Sequence, residues 1–159
     1  MTDNEKIKEL LEASSDGVIT AEQVTAAGLH RSVLQALVEK GEIYRFGRGL
    51  YALCNTWEDD FYLLQRKYGR GIYSHETALL FHDLTDREPD KYSVTVKTGY
   101  NPSKLKKDGM QVHCIKRELY DLGKTTMETT FGNEVPVYDM ERTVCDVIRN
   151  RSNIEMQVF

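Results

Sequence analysis

Long uncharged runs are missing from this 159-residue chain: the longest, Gly49 to Trp57, has nine residues. A bilayer-spanning helix needs about 20, so no membrane span is expected. The opening residues, Met1-Thr2-Asp3-Asn4-Glu5, are acidic and lead into no apolar h-region, which reads against a secretory signal. Cysteine is scarce. Cys54, Cys114 and Cys145 are odd in number and widely spaced, and they read as reduced thiols of a cytoplasmic protein, not a disulfide framework or a zinc site. No internal repeat or low-complexity tract is present. Basic charge is not in excess either: 21 Lys and Arg against 25 Asp and Glu leave −4. That excludes a wholly basic nucleic-acid coat and leaves a local basic face open. With 40% apolar and 29% charged residues, the composition is that of an ordinary soluble chain of one or two small domains.

The positive charge is concentrated in two places. Residues 29–53 carry four basic and two acidic side chains, and residues 91–125 carry eight and three. The segments around them are acidic, so any long-range steering of a polyanion depends on these two stretches.

The first stretch belongs to a recognisable order of elements. A helix is predicted from Asp3 to about Ser14, with Ile7, Leu10, Leu11 and Ser14 on one face and Thr2 and Glu5 as a capping box. A second capping box, Thr20 to Gln23, opens a short helix that ends at Gly28, with Val24 and Ala27 inward. A third helix runs from about His30 to Lys40 with Val33, Leu34, Leu37 and Val38 as its apolar stripe, and Gly41 ends it. Two β-prone runs, Ile43–Phe46 and Leu50–Leu53, then flank Gly47-Arg48-Gly49. Helix, short helix, helix and hairpin is the order of a winged helix-turn-helix, whose third helix enters the major groove of DNA.

The apolar stripe selects the DNA side of that helix: His30, Arg31, Ser32 and Gln35, with Ala36 beside them. Arg31 suits guanine and Gln35 suits adenine, each with roughly 1–3 kcal/mol of discrimination. Arg45 and Arg48 on the wing, and Lys40 at the helix end, suit phosphates, which carry affinity without sequence information. Solvated residues on an amphipathic helix are the bland alternative for Arg31 and Gln35. Two glycines flanking Arg48 let the backbone approach a phosphate closely. Tyr44, Phe46 and Tyr51 are read as packing between wing and core.

The run Val24–Leu34, continued by Gly41–Tyr51, resembles the N-terminal winged-helix domain of AbiEi-type antitoxins of bacterial abortive-infection type IV toxin–antitoxin systems. The most specific part is Gly-x-Ile-x-Arg-x-Gly-Arg-Gly-x-Tyr, matched at Gly41, Ile43, Arg45, Gly47, Arg48, Gly49 and Tyr51.

Beyond residue 53, Thr56-Trp57-Glu58-Asp59-Asp60 reads as a capped start of a linking helix, within residues 54–71, that runs to Tyr68 with Phe61, Leu64 and Tyr68 on one face. Ser74 is the expected N-cap of the next helix. Tyr92–Lys97 and Met110–Cys114 alternate as strands. Met127, Thr129 and Phe131 lead to Gly132-Asn133 as a two-residue hairpin loop, with Val135–Tyr138 returning. Asp139 then caps a helix with Met140, Val144, Val147 and Ile148 inward. Residues 72–159 form a small α+β domain on this reading, so the whole chain is α+β. Tyr73–Leu79 and Val137–Asp146 resemble segments of the AbiEi C-terminal region; the family usually continues into further helices, and the chain is expected to be truncated at Phe159.

No catalytic residue, metal site or cofactor is expected. His75 and His82 lie seven apart without a third ligand, and adjacent His113 and Cys114 point to opposite faces of a strand. Asp139, Glu141 and Asp146 are ascribed to capping and to an exposed helix face near Arg142. Seven cations against Asp108 across residues 91–117 mark a second candidate polyanion contact at Lys97, Lys104, Lys106 and Lys107; a solvated hairpin tip is the alternative. The resemblance implies a cytoplasmic antitoxin that binds inverted repeats in operator DNA and represses its own operon. It also implies a nucleotidyltransferase-like toxin as functional partner, countered without a stable complex. Two other classes remain open: a winged-helix regulator with a ligand-sensing second domain, and a nuclease-like second domain.

Overall fold

Capping boxes at Thr2 and Thr20 both form, each hydroxyl accepting from the backbone three residues on while Glu5 and Gln23 reach back. They start α1 (Asp3–Ala13) and, after the short strand β1 (Val18–Thr20), α2 (Ala21–Ala26). The computed structural model describes residues 1–54 and 59–153. It continues with α3 (Ser32–Glu39), β2 (Ile43–Gly47), β3 (Leu50–Leu53) and α4 (Asp60–Lys67). Then follow β4 (Ile72–Tyr73), α5 (His75–Phe81), β5 (Ser93–Lys97), α6 (Ser103–Lys107), β6 (Gln111–Ile115) and α7 (Arg117–Tyr120). The hairpin β7 (Lys124–Glu128) and β8 (Glu134–Tyr138) leads into α8 (Met140–Arg149). Two compact units divide at Leu63 and Leu64, inside α4. The architecture is α+β. Among the described residues no helix is long and apolar enough to cross a membrane.

The first unit is a winged helix. Ile7 and Leu11 of α1, Val24 of α2, and Leu34 and Leu37 of α3 bury fully against Ile19 and Ile43. Each such side chain contributes roughly 1.5–3 kcal/mol of burial. The three-stranded sheet has the order β1-β3-β2, all antiparallel. Its outer strand β1 was not foreseen, because three residues between a turn and a capping box carry too little periodicity. Gly49, at φ +68°, lets the hairpin turn, and its carbonyl accepts the Ala21 N–H at 2.9 Å, fastening the wing to the start of α2. Two expectations need correction. Ala27 is exposed because α2 has already ended there, one residue before Gly28 at φ +77°. The third helix begins at Ser32, two residues later than expected, with Arg31 in the N-cap position.

In the second unit the five-stranded sheet has the order β6-β5-β4-β8-β7. The strands expected near residues 92–97 and 110–114 exist, but β5 and β6 pair in parallel. The lysine-rich segment between them is therefore a crossover carrying α6, not a hairpin tip. Ser93 and Thr95, expected on a polar face, are buried as fully as Val94 and Val96, as a sheet covered on both sides requires. The later hairpin is shifted: Glu128 pairs with Glu134, so residues 129–133 connect the strands in place of a two-residue loop. Gly132, at φ +81°, turns that connection.

The helix capped by Asp139 forms, its carboxylate accepting the Arg142 N–H at 2.8 Å. Its inward face is Thr143, Asp146 and Val147, however, with Val147 against Leu79 of α5. Met140, Val144 and Ile148 are 44%, 40% and 51% exposed, so the expected inward stripe is mostly outward. Asp146, expected on an exposed face, is buried and ion-paired with Arg142 at 2.9 Å. Ser74 occupies an N-cap position without capping. Its hydroxyl accepts from Thr95 and meets His75 Nδ1 at 2.9 Å. The expected start of the linking helix at Thr56, Trp57 and Glu58 lies outside the described residues, as does Phe159. From Asp60 onward α4 is present, and the Asp59 carboxylate accepts the Tyr62 N–H at 3.3 Å.

Candidate nucleic-acid interface

Three arginines from three different elements border one concavity of about 660 Å³ in the winged unit. Arg31 stands at the start of α3, Arg45 on β2 and Arg48 at the hairpin turn; Thr20, Glu22 and Tyr51 complete the lining. Arg31 donates through Nε to Thr25 Oγ1 at 3.2 Å, and Arg45 through Nε to the Gly47 carbonyl at 3.1 Å. Both bonds orient the guanidinium and leave its terminal nitrogens for a planar anion. Arg48 is exposed at the wing tip. Glu22 lines the same concavity and limits the net positive charge of its surface.

The remaining expected contacts have local roles. His30 Nδ1 accepts the Ser32 N–H at 3.2 Å and meets Ser32 Oγ at 2.8 Å, so the two residues shape the entrance to α3. Gln35 donates to Glu39 one turn on, at 3.2 Å, a bond that contact with a base must break. Lys40 is at the C-cap of α3, outside the arginine concavity. The Glu42 carboxyl is held below its ordinary range, first by a hydrogen bond from Lys8 and further by the charge of Lys40. Tyr51 packs on the core as expected, while Tyr44 and Phe46 meet each other at 6.2 Å between ring centroids. Thr20 and Glu22 were not foreseen as lining residues; the capping box that contains Thr20 marks a helix start, not a surface.

The second basic stretch separates into two groups. Lys104, Lys106 and Lys107 are exposed on α6. Beside them Asp108 takes Lys67 Nζ at 2.7 Å and the Tyr68 hydroxyl, which hold its carboxyl below the usual range. Lys97, at the end of β5, lies in a different concavity with Arg70 and Arg117.

The histidines are arranged differently from the expected helical pair. His82 lies past the end of α5 and its Nε2 meets the Tyr138 carbonyl at 2.7 Å. His75 instead stacks on His113. Ser74, the hydroxyl beside His75, is fully buried. Among the described residues no three His, Cys, Asp or Glu side chains could share a metal ion.

A winged helix-turn-helix with a cationic concavity bordered by the start of α3 and the wing, followed by a small α+β unit, defines the class: a two-unit α+β chain with an N-terminal winged helix. Residues 5–53 match the family described as transcriptional regulator, AbiEi antitoxin. The match covers the winged unit alone and ends at Leu53; that similarity supports a regulator or antitoxin role. No curated protein matches the chain.

Proposed function

We propose that this protein is a cytoplasmic, non-enzymatic antitoxin of a type IV toxin–antitoxin system that represses its own operon. On this reading the winged unit binds an inverted repeat in promoter DNA, and residues 72–159 serve neutralisation of a nucleotidyltransferase-like toxin. The observation that carries it is the convergence of Arg31, Arg45 and Arg48 on one concavity between α3 and the wing. Three guanidinium groups bordering one concavity can neutralise neighbouring phosphates of a duplex, and that neutralisation drives binding through counterion release. Arg31 is the base reader, with Gln35 second to it because of its bond to Glu39. Lys104, Lys106 and Lys107 of α6 supply a second, sequence-independent polyanion contact. The test is fluorescence anisotropy on the chain's own promoter fragment and on a scrambled duplex across a salt series. Preference for the promoter with a steep salt slope supports the reading; no binding to either duplex at 50 mM salt, on the order of the low end used for such proteins, overturns it.

A further inference from the structure

Three neighbouring strands of the second unit each bring one cation to the same end of the sheet. In the order β6-β5-β4, β5 runs parallel to β6 and antiparallel to β4. The C-terminal ends of β5 and β6 therefore lie beside the N-terminal end of β4. Lys97 closes β5, Arg117 follows β6 by two residues and Arg70 precedes β4 by two. The three border a concavity of about 460 Å³ together with Gly99, Tyr100 and Tyr120. That volume suits a small ligand, and the carboxyl ends of adjacent parallel strands are where open α/β sheets bind theirs.

Tyr120 organises the three cations. Its hydroxyl donates to the Arg70 carbonyl at 2.5 Å, and its ring lies under Lys97 Nζ at 4.7 Å. Arg117 opens the single turn of α7 that carries Tyr120. Gly99 turns at φ +97°, and a Cβ there would stand 3.9 Å from the Arg117 guanidinium. Among the described residues none of Arg70, Lys97 and Arg117 forms an ion pair, and no carboxylate lines the concavity. Three like charges bordering one concavity repel one another, and an anion that joins them relieves that repulsion.

We propose that this concavity binds a polyphosphate chain, Arg70, Lys97 and Arg117 taking the phosphate oxygens. The site is independent of the DNA-binding reading of the winged unit. Two or more phosphates are required to match three cations, so a nucleoside monophosphate binds more weakly. The source is a free nucleotide or the 5′-triphosphate end of an RNA strand, which share this chemistry.

Isothermal titration of the full chain with ATP, AMP, inorganic tripolyphosphate and a 5′-triphosphorylated RNA decamer tests it. ATP or the triphosphorylated RNA is expected to bind at one site per chain, with AMP at least about tenfold weaker, the loss of charge-assisted contacts. Lys97→Ala with Arg117→Ala, or Arg70→Glu alone, should weaken that binding about tenfold or more, while thermal melting shows each variant folded. Lys91→Ala with Arg151→Ala removes the same charge from exposed positions outside the concavity and should leave affinity within about twofold. Tripolyphosphate binding like ATP supports the site and assigns the affinity to phosphate alone. Equal losses in the two double variants, equal affinity for AMP and ATP, or no binding of any probe at millimolar concentration overturns the proposal.

Discussion

The imidazole rings of His75 and His113 stack with centroids 3.7 Å apart and planes 16° from parallel, joining the start of α5 to the middle of β6. Burial first, and then the charges of His113, Arg142 and Arg149, hold the His75 imidazole down at about 3. Burial likewise lowers His113, against an upward pull from Asp146. Both rings are thus neutral in the folded unit at pH 7. A depressed histidine contributes its full stability above the unfolded value near 6.5, and that contribution is lost as pH falls toward 3. By pH 4.5 the loss for His75 is about 2–3 kcal/mol, at 1.36 kcal/mol per unit. Urea unfolding at pH 7 and pH 4.5 measures it. His75 sits at φ +52°, where asparagine is tolerated, so His75→Asn should flatten the dependence. Unchanged acid sensitivity in that variant would remove His75 as its cause.

Arg142 is the centre of a buried polar knot. It pairs with Asp146 at 2.9 Å, donates to the Leu119 and Leu122 carbonyls at 2.7 Å each, and lies 4.3 Å over the Tyr138 ring. Arg142→Ala leaves Asp146 buried without a partner and should destabilise the second unit by about 3–5 kcal/mol. Arg142→Lys should recover little of that, because one ammonium cannot reproduce the planar fork. Denaturant midpoints of both variants decide it; near-wild-type stability of Arg142→Lys would show that charge alone suffices.

Gly123 is constrained twice. It turns at φ +78°, and a Cβ there would lie 2.7 Å from Arg142 Cβ and 3.1 Å from Asp139 Oδ1. Gly123→Ala should therefore destabilise by about 1–3 kcal/mol, more than Gly132→Ala, whose Cβ meets nothing within 4 Å. Equal melting temperatures for the two variants would show that the α8 cap moves aside without cost.

The winged unit was legible because its signals are local. Capping boxes, a four-residue apolar stripe and a glycine-flanked hairpin each act within a few residues, and their order has few alternatives. The second unit was less legible where the deciding contacts are distant. Nothing within Tyr92–Cys114 separates a hairpin from a parallel crossover, since alternation is the same in both. On α8, Met140, Val144 and Ile148 form the apolar face at helical spacing, yet Thr143 and Asp146 are inward because Arg142 supplies Asp146 with its partner. The arginine concavity of the winged unit was visible as residues and not as a surface. The set Arg70, Lys97 and Arg117 was not visible, because its members come together only through the strand order.

Arg48 and Arg31 should separate affinity from specificity. Arg48→Ala should weaken binding to promoter and scrambled DNA alike and lower the salt slope by about one ion. Arg31→Ala should relax base preference by roughly 1–3 kcal/mol at one position of each half-site. Anisotropy titrations on single-base operator variants make the comparison. An equal loss on all sequences for Arg31→Ala would reduce it to a phosphate contact.

Repression and toxin neutralisation should be separable along the chain, the first in residues 1–53 and the second in residues 72–159. The arginine concavity is lined only by residues of the winged unit, and the lysines of α6 belong to the other compact unit. Arg45→Glu with Arg48→Glu reverses two charges at the wing, so attraction to the DNA backbone becomes repulsion and repression is lost. Neither side chain is buried, so the fold should survive, as circular dichroism would verify. Expressed from an unrelated promoter, that variant should still protect cells carrying the toxin. Lys104→Glu with Lys106→Glu and Lys107→Glu reverses three exposed charges on α6 and should reduce protection. Promoter-reporter output and growth rescue, measured on the same variants, read the two activities side by side. A folded wing variant that loses both activities would refute the division. A lysine variant that loses neither would leave α6 as a solvated crossover whose charge serves no polyanion.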